Sequence, residues 1–276
     1  MFEPSTELAT MIEAARTAGT GLMRQFRGRA QLHVELKGPA DFVSAADLDS
    51  ERTLRAALLS AYPSYGFLTE ESPPTVGADA SVRFIVDPLD GTTNFVNGIP
   101  HFAIAIALER EERVVAGVVF DPAKDELFVG EQGCGAWLGR QGTGYERLCV
   151  SNDTDLSRAL VGTGIPHANG AVRHEAYLAM LAATMREVAG IRRFAAAALD
   201  LAYVAAGRFA VFFELGLAPW DMAAGAILVR EAGGQVSEPL GEKEWGFLES
   251  GEVLATNGRL HGRMTALLRR ATTPRG

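Results

Sequence analysis

The sequence predicts a layered fold of mixed helices and sheets, in the α+β class. Three observations indicate it. Apolar residues recur at helical spacing over 6–27, β-rich runs separated by short turns fill 102–130, and strand and helix patterns alternate from 159 to 270. The 276 residues are enough to bury a large core, either in one domain or in two joined halves.

The N-terminal part is predicted to contain two helices and a buried strand. The first helix covers 6–27, and the second covers 46–61, where a proline soon afterwards ends it. A polar stretch that carries Lys37 lies between them. The run VRFIV at 82–86 is typical of a buried strand, and we expect it to end abruptly at Asp87.

The middle of the chain is predicted to form antiparallel strands. The runs FAIAIAL and VVAGVVF flank the charged run EREER, which we expect to be the turn, and DELFVG and AWLG continue the pattern. A boundary after 155 divides the chain into predicted halves 1–155 and 156–276. The second half is predicted to contain strands at 159–163, at 211–215 and at EVLAT, and helices at 173–189, 194–206, 221–232 and 260–270. We expect Gly233 to close the helix at 221–232 in a left-handed cap.

Composition and charge restrict the functional class. The formal net charge of −8 argues against non-specific binding to nucleic acid or to anionic membranes. Cys134 and Cys149 are too few for a disulfide framework, which favours a reducing compartment. The N-terminus lacks the apolar region of a signal peptide, and the longest apolar runs are far below the roughly 20 residues of a membrane helix. We therefore expect a cytoplasmic protein with no membrane partner.

The segment DPLDGTTNF at 87–95 is the sharpest candidate for chemistry. Asp87 and Asp90 can face one pocket, and the carbonyl of Leu89 is a further oxygen ligand of the kind that magnesium prefers. If a helix begins here, the amides of Gly91 and Thr92 could meet a phosphate. Taken alone, the segment could also be an Asp-rich turn that caps a helix.

Two further acidic segments are weaker on their own. Glu70 and Glu71 follow an apolar run, and adjacent acids usually lie in a solvated loop. Asp221 opens an apolar helix, where it could be a simple N-cap.

Together the three segments resemble the inositol monophosphatase family. The matching features are FLTEES at 67–72, DPLDGTTNF at 87–95 and PWDMAAGAILVREAGG at 219–234, with weaker matches at Lys37 and Asp47. The resemblance implies a layered αβαβα sandwich of the inositol monophosphatase and fructose-1,6-bisphosphatase type. It also implies a magnesium-dependent, lithium-sensitive phosphomonoester hydrolase that acts on a small phosphorylated metabolite as a homodimer.

The resemblance assigns site residues one by one. Two magnesium ions are expected, the first held by Glu70, Asp87 and the carbonyl of Leu89, and the second by Asp87, Asp90 and Asp221; Glu70 would also reach a third, weaker ion. Thr92 would position the attacking water, with Glu70 assisting and Asp47 as its partner, and Asp90 would hold the water that protonates the leaving group. The substrate contacts are expected at Asp90, Gly91, Thr92, Ala195, Ala196, Ala197, Glu214 and Asp221, and Lys37 would offset acidic charge.

The sequence departs from the family pattern at one place. Ala195 and Ala196 stand where the family usually has Gly-Ser or Gly-Thr, so a hydroxyl is missing from the expected substrate site. This weakens inositol monophosphate as the expected substrate, while backbone amides remain to bind it. The alternatives are another small-molecule phosphatase of the superfamily, for histidinol phosphate, fructose bisphosphate or phosphoadenosine, and a non-catalytic RNA-associated or transcription-associated protein that keeps the fold.

Overall fold

The computed structural model describes residues 2–29, 34–38, 41–166, 171–239 and 245–272, with side chains described except at 34–38, 41–43 and 171–173. The helices of this part are α1 (Thr6–Arg27), α2 (Ala45–Ala61), α3 (Thr92–Val96), α4 (Ala171–Thr184), α5 (Ala197–Ala205), α6 (Pro219–Glu231), α7 (Phe247–Ser250) and α8 (His261–Thr272). Its strands are β1 (Val34–Gly38), β2 (Asp41–Ser44), β3 (Gly66–Thr69), β4 (Val82–Asp90), β5 (Ala103–Arg110), β6 (Arg113–Asp121), β7 (Glu126–Glu131), β8 (Gly135–Gly139), β9 (Tyr145–Arg147), β10 (Leu160–Thr163), β11 (Gly190–Arg192), β12 (Val211–Leu215), β13 (Gln235–Ser237) and β14 (Glu252–Thr256).

The strands form two large sheets and one small hairpin. The larger sheet has seven strands in the order β3-β4-β5-β6-β7-β8-β9, and the second has five in the order β11-β10-β12-β14-β13. In the larger sheet, β3 and β4 are parallel and the other neighbours are antiparallel. Within the described residues, strands β1 and β2 pair only with each other.

Alternating side chains on the strands separate the layers. Because successive side chains point to opposite faces of a sheet, Phe84 and Val86 join the core under α1 and α2, whereas Ile85 joins the core with α5 and α6. In the second sheet, Phe212 faces α5 and α6, and Phe213 joins the core that includes residues of α4 and α8. The order of layers is therefore αβαβα, as predicted.

Helix α6 lies unusually close to the larger sheet. A Cβ atom on Gly117 of β6 would lie 2.5 Å from Cγ2 of Ile227 and 2.7 Å from the carbonyl oxygen of Ala224. A larger residue than glycine would therefore push the helix away. This contact brings the start of α6, which carries Asp221, toward the end of β4, which carries Asp87.

Several predicted boundaries differ from the structure. Strand β4 does not end at Asp87 but continues to Asp90, with a shift in its pairing to β5 between those two residues. The turn between β5 and β6 is shorter than EREER, because only Glu111 and Glu112, both with positive φ, lie outside the strands. Sequence reasoning missed β1, β2, β3, β9, β11 and β13, which are three to five residues long.

The helix boundaries also shift. The helix expected at 194–206 begins only at Ala197, and the one expected at 173–189 is observed at Ala171–Thr184. The helix expected at 221–232 begins two residues earlier at Pro219, and Gly233, with φ of +88°, follows its end in the predicted left-handed conformation.

The predicted halves share one core. The largest buried cluster contains Ile85 and Phe128 from the first half together with Leu199 and Val229 from the second. The division at 155 stays a prediction.

Cys134 and Cys149 are both free and exposed. In the part of the chain that the structure describes, no helix has the length and apolar character needed to cross a membrane.

Candidate functional site

A cavity of about 420 Å³ lies where β3, β4, α3, α5 and α6 meet. Carboxyl groups from distant parts of the chain line it, and they belong to Glu70, Asp87, Asp90, Glu214 and Asp221. The other lining residues are Leu89, Gly91, Thr92, Thr93, Gly164, Ile165, Pro166, Arg193, Ala195, Ala196, Ala197 and Leu217. Most of the predicted site residues thus lie in one cavity.

The parallel pairing of β3 and β4 places the first two acids side by side. Thr69 pairs with Val86, and the next residues along each strand are Glu70 and Asp87. Parallel strands deliver equivalent positions to the same edge of a sheet, so these carboxylates meet at the cavity floor. Asp87 is 1% exposed, and Glu70 is half-buried.

Burial and mutual charge repulsion raise the pKa values of Asp87 and Asp221. Burial raises the pKa of Asp87 well above its usual range, and the charges of Glu70, Asp90 and Asp221 raise it further. Burial, followed by the charge of Asp90, raises the pKa of Asp221 to about 7. The carboxyl group of Asp87 also interacts with that of Asp221 and lowers the pKa of Asp221 slightly.

Asp90 connects the end of β4 to the start of α5. Its Oδ2 accepts a hydrogen bond from the backbone amide of Ala198 at 2.8 Å. The residue at the N-cap of α5 is Ala196, which has no side-chain oxygen to fill this role. Burial raises the pKa of Asp90 to about 7, although the amides at the start of α5 oppose that rise.

Gly91 allows the loop after β4 to turn back against α5. Its φ is +88°, and a Cβ atom there would lie 3.1 Å from the His101 carbonyl oxygen and 3.3 Å from that of Ala195. Both the conformation and the space therefore favour glycine. Gly91 is the N-cap of α3, so the segment does open a short helix.

Thr92 and Asp47 form a pair behind the cavity wall. The Thr92 hydroxyl lies 2.9 Å from Oδ1 of Asp47 and 3.0 Å from the Leu89 carbonyl oxygen. Asp47 is fully buried, and its Oδ2 accepts from both the amide and the hydroxyl of Ser44. Burial raises the pKa of Asp47, and these hydrogen bonds oppose that rise. Asp47 therefore contacts Thr92 from behind.

Glu214 approaches the cavity from β12. Burial raises its pKa to about 8, and the charges of Asp221 and Asp90 add to this, whereas Arg193 lowers it. Gly164 lies against its carboxylate, because a Cβ atom at Gly164 would lie only 1.9 Å from Oε1 of Glu214. Nothing in the sequence around Gly164 indicates that it contacts Glu214, because a glycine after a short strand is common.

The structure adds polar residues that sequence reasoning missed. Asp200 of α5 is 1% exposed, and its Oδ1 has no hydrogen-bond partner among the described residues. Burial raises its pKa well above the usual range, as do the charges of Glu214 and Asp90. An acid inside the apolar run AALDLAYVA was the signal that could have revealed it. The Lys37 side chain lies outside the described residues, so its predicted role is a matter for experiment.

The donor set fits magnesium by its chemistry. All the cavity acids offer oxygen, which is the ligand atom that magnesium prefers. Within the described ranges, no three Asp, Glu, His or Cys side chains form a ready-made cage for one ion. Magnesium keeps several water ligands in most protein sites, so a closed cage is not required.

Comparisons with known proteins agree with this geometry. The model of the inositol monophosphatase family matches residues 3–273. An inositol-1-monophosphatase of Rhizobium meliloti (strain 1021) is 49% identical over 96% of this chain and 97% of its own length. The Nus factor SuhB of Pseudomonas aeruginosa is 43% identical over 93% of this chain and 92% of its own length.

A solved structure shows the same fold. The crystal structure of the extragenic suppressor protein suhB from Bartonella henselae matches with a TM-score of 0.90 at 45% identity, and the match covers 96% of this chain and 99% of that one. The family match and the relatives each span nearly the whole chain. The chain therefore belongs to the inositol monophosphatase family.

Proposed function

We propose that this protein hydrolyses a small phosphomonoester with the help of magnesium, and that inositol monophosphate is the first substrate to test. The observation that carries the proposal is the group of five carboxyl groups in one cavity beside the Gly91 loop. Such a concentration of acids is unfavourable unless protons or cations neutralise it. The family is in general magnesium-dependent, and relatives of 46–49% identity are named inositol-1-monophosphatases.

The residues proposed to hold the metal are those that the resemblance assigned. Glu70, Asp87 and the Leu89 carbonyl would hold one ion, and Asp87, Asp90 and Asp221 would hold a second. When bound, these ions would neutralise the phosphate and lower the pKa of water. The pKa values of Asp87, Asp90 and Asp221 are raised when no metal is bound, so magnesium binding would favour the ionised forms of these groups.

Thr92 has a geometry suited to positioning water. Asp47 already accepts two hydrogen bonds from Ser44, so it acts as an acceptor toward the Thr92 hydroxyl. With its proton directed to Asp47, the Thr92 oxygen keeps its lone pairs free to accept a hydrogen bond from a water in the cavity. Glu70 lies at the same cavity floor and would assist.

The substrate alcohol would lie toward Glu214 and the turn before α5. Glu214 can bind hydroxyl groups, and the amides around Ala196 and Ala197 can bind an oxygen where the family's hydroxyl is missing. Arg193 at the rim is a positive group that can meet the phosphate or a second acidic group of the substrate. Gly91 and Thr92 amides are proposed to contact the phosphate itself.

The test is release of inorganic phosphate from inositol 1-phosphate in excess magnesium, with a parallel assay in EDTA. A panel that includes histidinol phosphate, fructose bisphosphate and phosphoadenosine distinguishes the related phosphatases. We expect hydrolysis only with magnesium, in a homodimer that lithium inhibits.

Both exposed cysteines are free thiols, which supports the proposed cytoplasmic location.

A second candidate function is association with RNA or the transcription machinery. It is favoured by the relatives named Nus factor SuhB, which are 40–43% identical to this chain. The net charge of −8 disfavours direct contact with RNA. A gel-shift assay with structured RNA at physiological salt tests it, and binding without any phosphate release would favour this candidate over the first.

A further inference from the structure

One side chain of α3 joins this helix to the turn before α5. The amide nitrogen of Asn94 donates to the carbonyl oxygens of His101 and Phe194, each at 2.8 Å, and lies 3.4 Å from that of Ala195. The Asn94 side chain is 7% exposed, and its three carbonyl contacts are partly buried. Removing the Asn94 side-chain donor would take away a hydrogen bond from each of these partly buried carbonyl groups.

The turn that Asn94 contacts is strained. Ala195 has a φ of +59°, the left-handed region that residues with a Cβ atom rarely adopt. Such a conformation persists only when surrounding contacts enforce it. The bonds of Asn94 to the carbonyls on this turn are contacts of that kind, because they hold the peptide groups on both sides of the Ala195 Cα atom.

The same turn determines where the α5 amides lie. The residue after Ala195 is the N-cap of α5, and the Ala198 amide donates to Asp90 at 2.8 Å. A Cβ atom on Gly91 would lie 3.3 Å from the Ala195 carbonyl oxygen and 3.4 Å from the Ala196 Cβ atom. A change at Ala195 would therefore move the segment proposed to contact the substrate relative to the loop proposed to contact the phosphate.

We propose that Asn94 is a positioning residue that holds Ala195 in its left-handed conformation, and that it thereby aligns the substrate-contacting turn with the phosphate-contacting loop. The assignment of substrate contacts to the turn and of phosphate contacts to the loop rests on the proposed function. Its structural half, that Asn94 enforces the conformation of Ala195, does not depend on any activity.

The test is a double-mutant cycle between Asn94 and Ala195. We compare wild type, Asn94→Ala, Ala195→Gly and the double variant, all with magnesium and inositol 1-phosphate. Asn94→Ala should raise KM by about tenfold, with a much smaller change in kcat, because the turn relaxes while the acids stay in place. Glycine adopts positive φ readily, so in the Ala195→Gly background the same change should raise KM by no more than about threefold.

Asn97→Ala is the matched control. Asn97 is the C-cap of α3, the helix that contains Asn94, but among the described residues its side-chain amide donates only to the nearby Thr93 carbonyl, at 2.8 Å, and it is exposed. Its loss should leave KM unchanged. If Asn94→Ala does not fold, Asn94→Ser, which keeps one shorter donor, replaces it in the same cycle.

Hydrogen exchange of the peptide that covers 194–199 gives a readout without substrate. Exchange should be faster in Asn94→Ala than in wild type, should return toward the wild-type rate in the double variant, and should not change in Asn97→Ala. Equal effects of Asn94→Ala in both backgrounds, or an equal effect of Asn97→Ala, would overturn the proposal. A wild type that shows this exchange pattern but releases no phosphate would contradict the proposed function and leave the role of Asn94 intact.

Discussion

Asp90 belongs to two parts of the molecule at once. Its carboxylate lines the cavity, and it also caps α5, whose own N-cap residue is the apolar Ala196. Asparagine keeps an oxygen that can accept the Ala198 amide, but it removes the negative charge. The substitution Asp90→Asn therefore separates the structural contact from the charge.

We predict that Asp90→Asn and Asp221→Asn abolish turnover while the protein stays folded. Each removes a charge from an acidic cluster that the proposed metal must neutralise, so loss of more than about a hundredfold in kcat/KM is expected. Phosphate release and circular dichroism of the purified variants measure the two halves of this prediction. Near wild-type rates in either variant would show that the metal assignment is wrong at that position.

The metal-free protein should lose stability as the pH rises through about 7. The folded-state pKa of Asp90 is raised to about 7 from its ordinary value of 3.8, so above pH 3.8 the folded state holds a proton that the unfolded state has released. That stabilisation is lost as the pH rises through 7. Between pH 6.5 and 8.5 the loss from Asp90 alone is about 1 kcal/mol, or roughly 2–4 °C in Tm.

Thermal unfolding in EDTA at these two pH values measures this effect. The range also avoids His101, whose pKa is lowered to about 4 by burial, so that its contribution changes only below about pH 6.5. Asp90→Asn should show a smaller drop in Tm than wild type, and magnesium should abolish most of the drop. An equal drop in both proteins would mean that Asp90 is not the group responsible.

Ala195 and Ala196 should broaden substrate selectivity. The first is held at φ of +59°, where glycine would be unstrained, and the second lacks the hydroxyl of the usual family residue. We predict that Ala195→Gly/Ala196→Ser raises the ratio of kcat/KM for inositol 1-phosphate to that for glycerol 2-phosphate by up to about tenfold. Ala195→Gly alone serves as the control for the backbone effect. An unchanged ratio in the double variant would mean that Glu214 or other loops determine substrate selectivity.

At the scale of elements, the contact between the end of β10 and β12 is sensitive to volume. A methyl group on Gly164 would overlap the Glu214 carboxylate, with 1.9 Å between Cβ and Oε1. We predict that Gly164→Ala displaces Glu214 and lowers kcat/KM for inositol 1-phosphate by about tenfold or more, with a smaller effect on glycerol 2-phosphate.

Gly21→Ala is the matched control for this substitution. Gly21 lies inside α1 with no atom within 4 Å of the added Cβ position, so alanine should stabilise the helix by about 1 kcal/mol and leave activity unchanged. The same chemical change is thus harmless where space is open. Full activity of Gly164→Ala would show that Glu214 does not contact the substrate.

Elements with strong periodicity could be predicted from sequence, and elements set by distant contacts could not. Helix α1 matches its predicted bounds because its apolar stripe and Ser5 cap are local features. The start of α5 was wrong by three residues, because the Ala-rich run favours helix, whereas contacts from Asp90, Gly91 and Asn94, about a hundred residues away, place the turn at Ala195. Strand β4 likewise continues to Asp90 through pairing with β5 that its own sequence does not reveal.

The candidate site shows the same division. Glu70, Asp87, Asp90 and Asp221 could be singled out because three spaced motifs matched a family together. Asp200 and Gly164 escaped notice, since an acid in a helix and a glycine after a strand gain meaning only when the fold places them near Glu214.

At the scale of the whole molecule, the acidic cavity lies where elements of both predicted halves meet. Glu70, Asp87 and Asp90 come from the first, and Glu214 and Asp221 come from the second. Helices α5 and α6 pack between the two sheets, so the site depends on the complete sandwich. We predict that magnesium raises the Tm of the full chain, because it binds only the folded arrangement of these acids. A Tm unaffected by millimolar magnesium at pH 8 would contradict this.

Family membership also predicts a homodimer that lithium inhibits. Sedimentation velocity at micromolar concentration measures the first property, and a lithium titration of phosphate release under saturating magnesium measures the second. A strict monomer, or indifference to high lithium, would separate this protein from the behaviour proposed for it. Neither result alone would affect the assignment of the acidic residues, which depends on the cavity.

The most direct test of magnesium-dependent hydrolysis by this cavity is a comparison of phosphate release from inositol 1-phosphate by wild type, Asp221→Asn and Asp79→Asn, each with excess magnesium and with EDTA. Asp79 is an exposed acid outside the cavity, and asparagine keeps an acceptor for its bonds to Ser81. We predict that wild type and Asp79→Asn release phosphate only with magnesium and that Asp221→Asn releases none. Undiminished release by wild type in EDTA, or by Asp221→Asn with magnesium, would contradict the account.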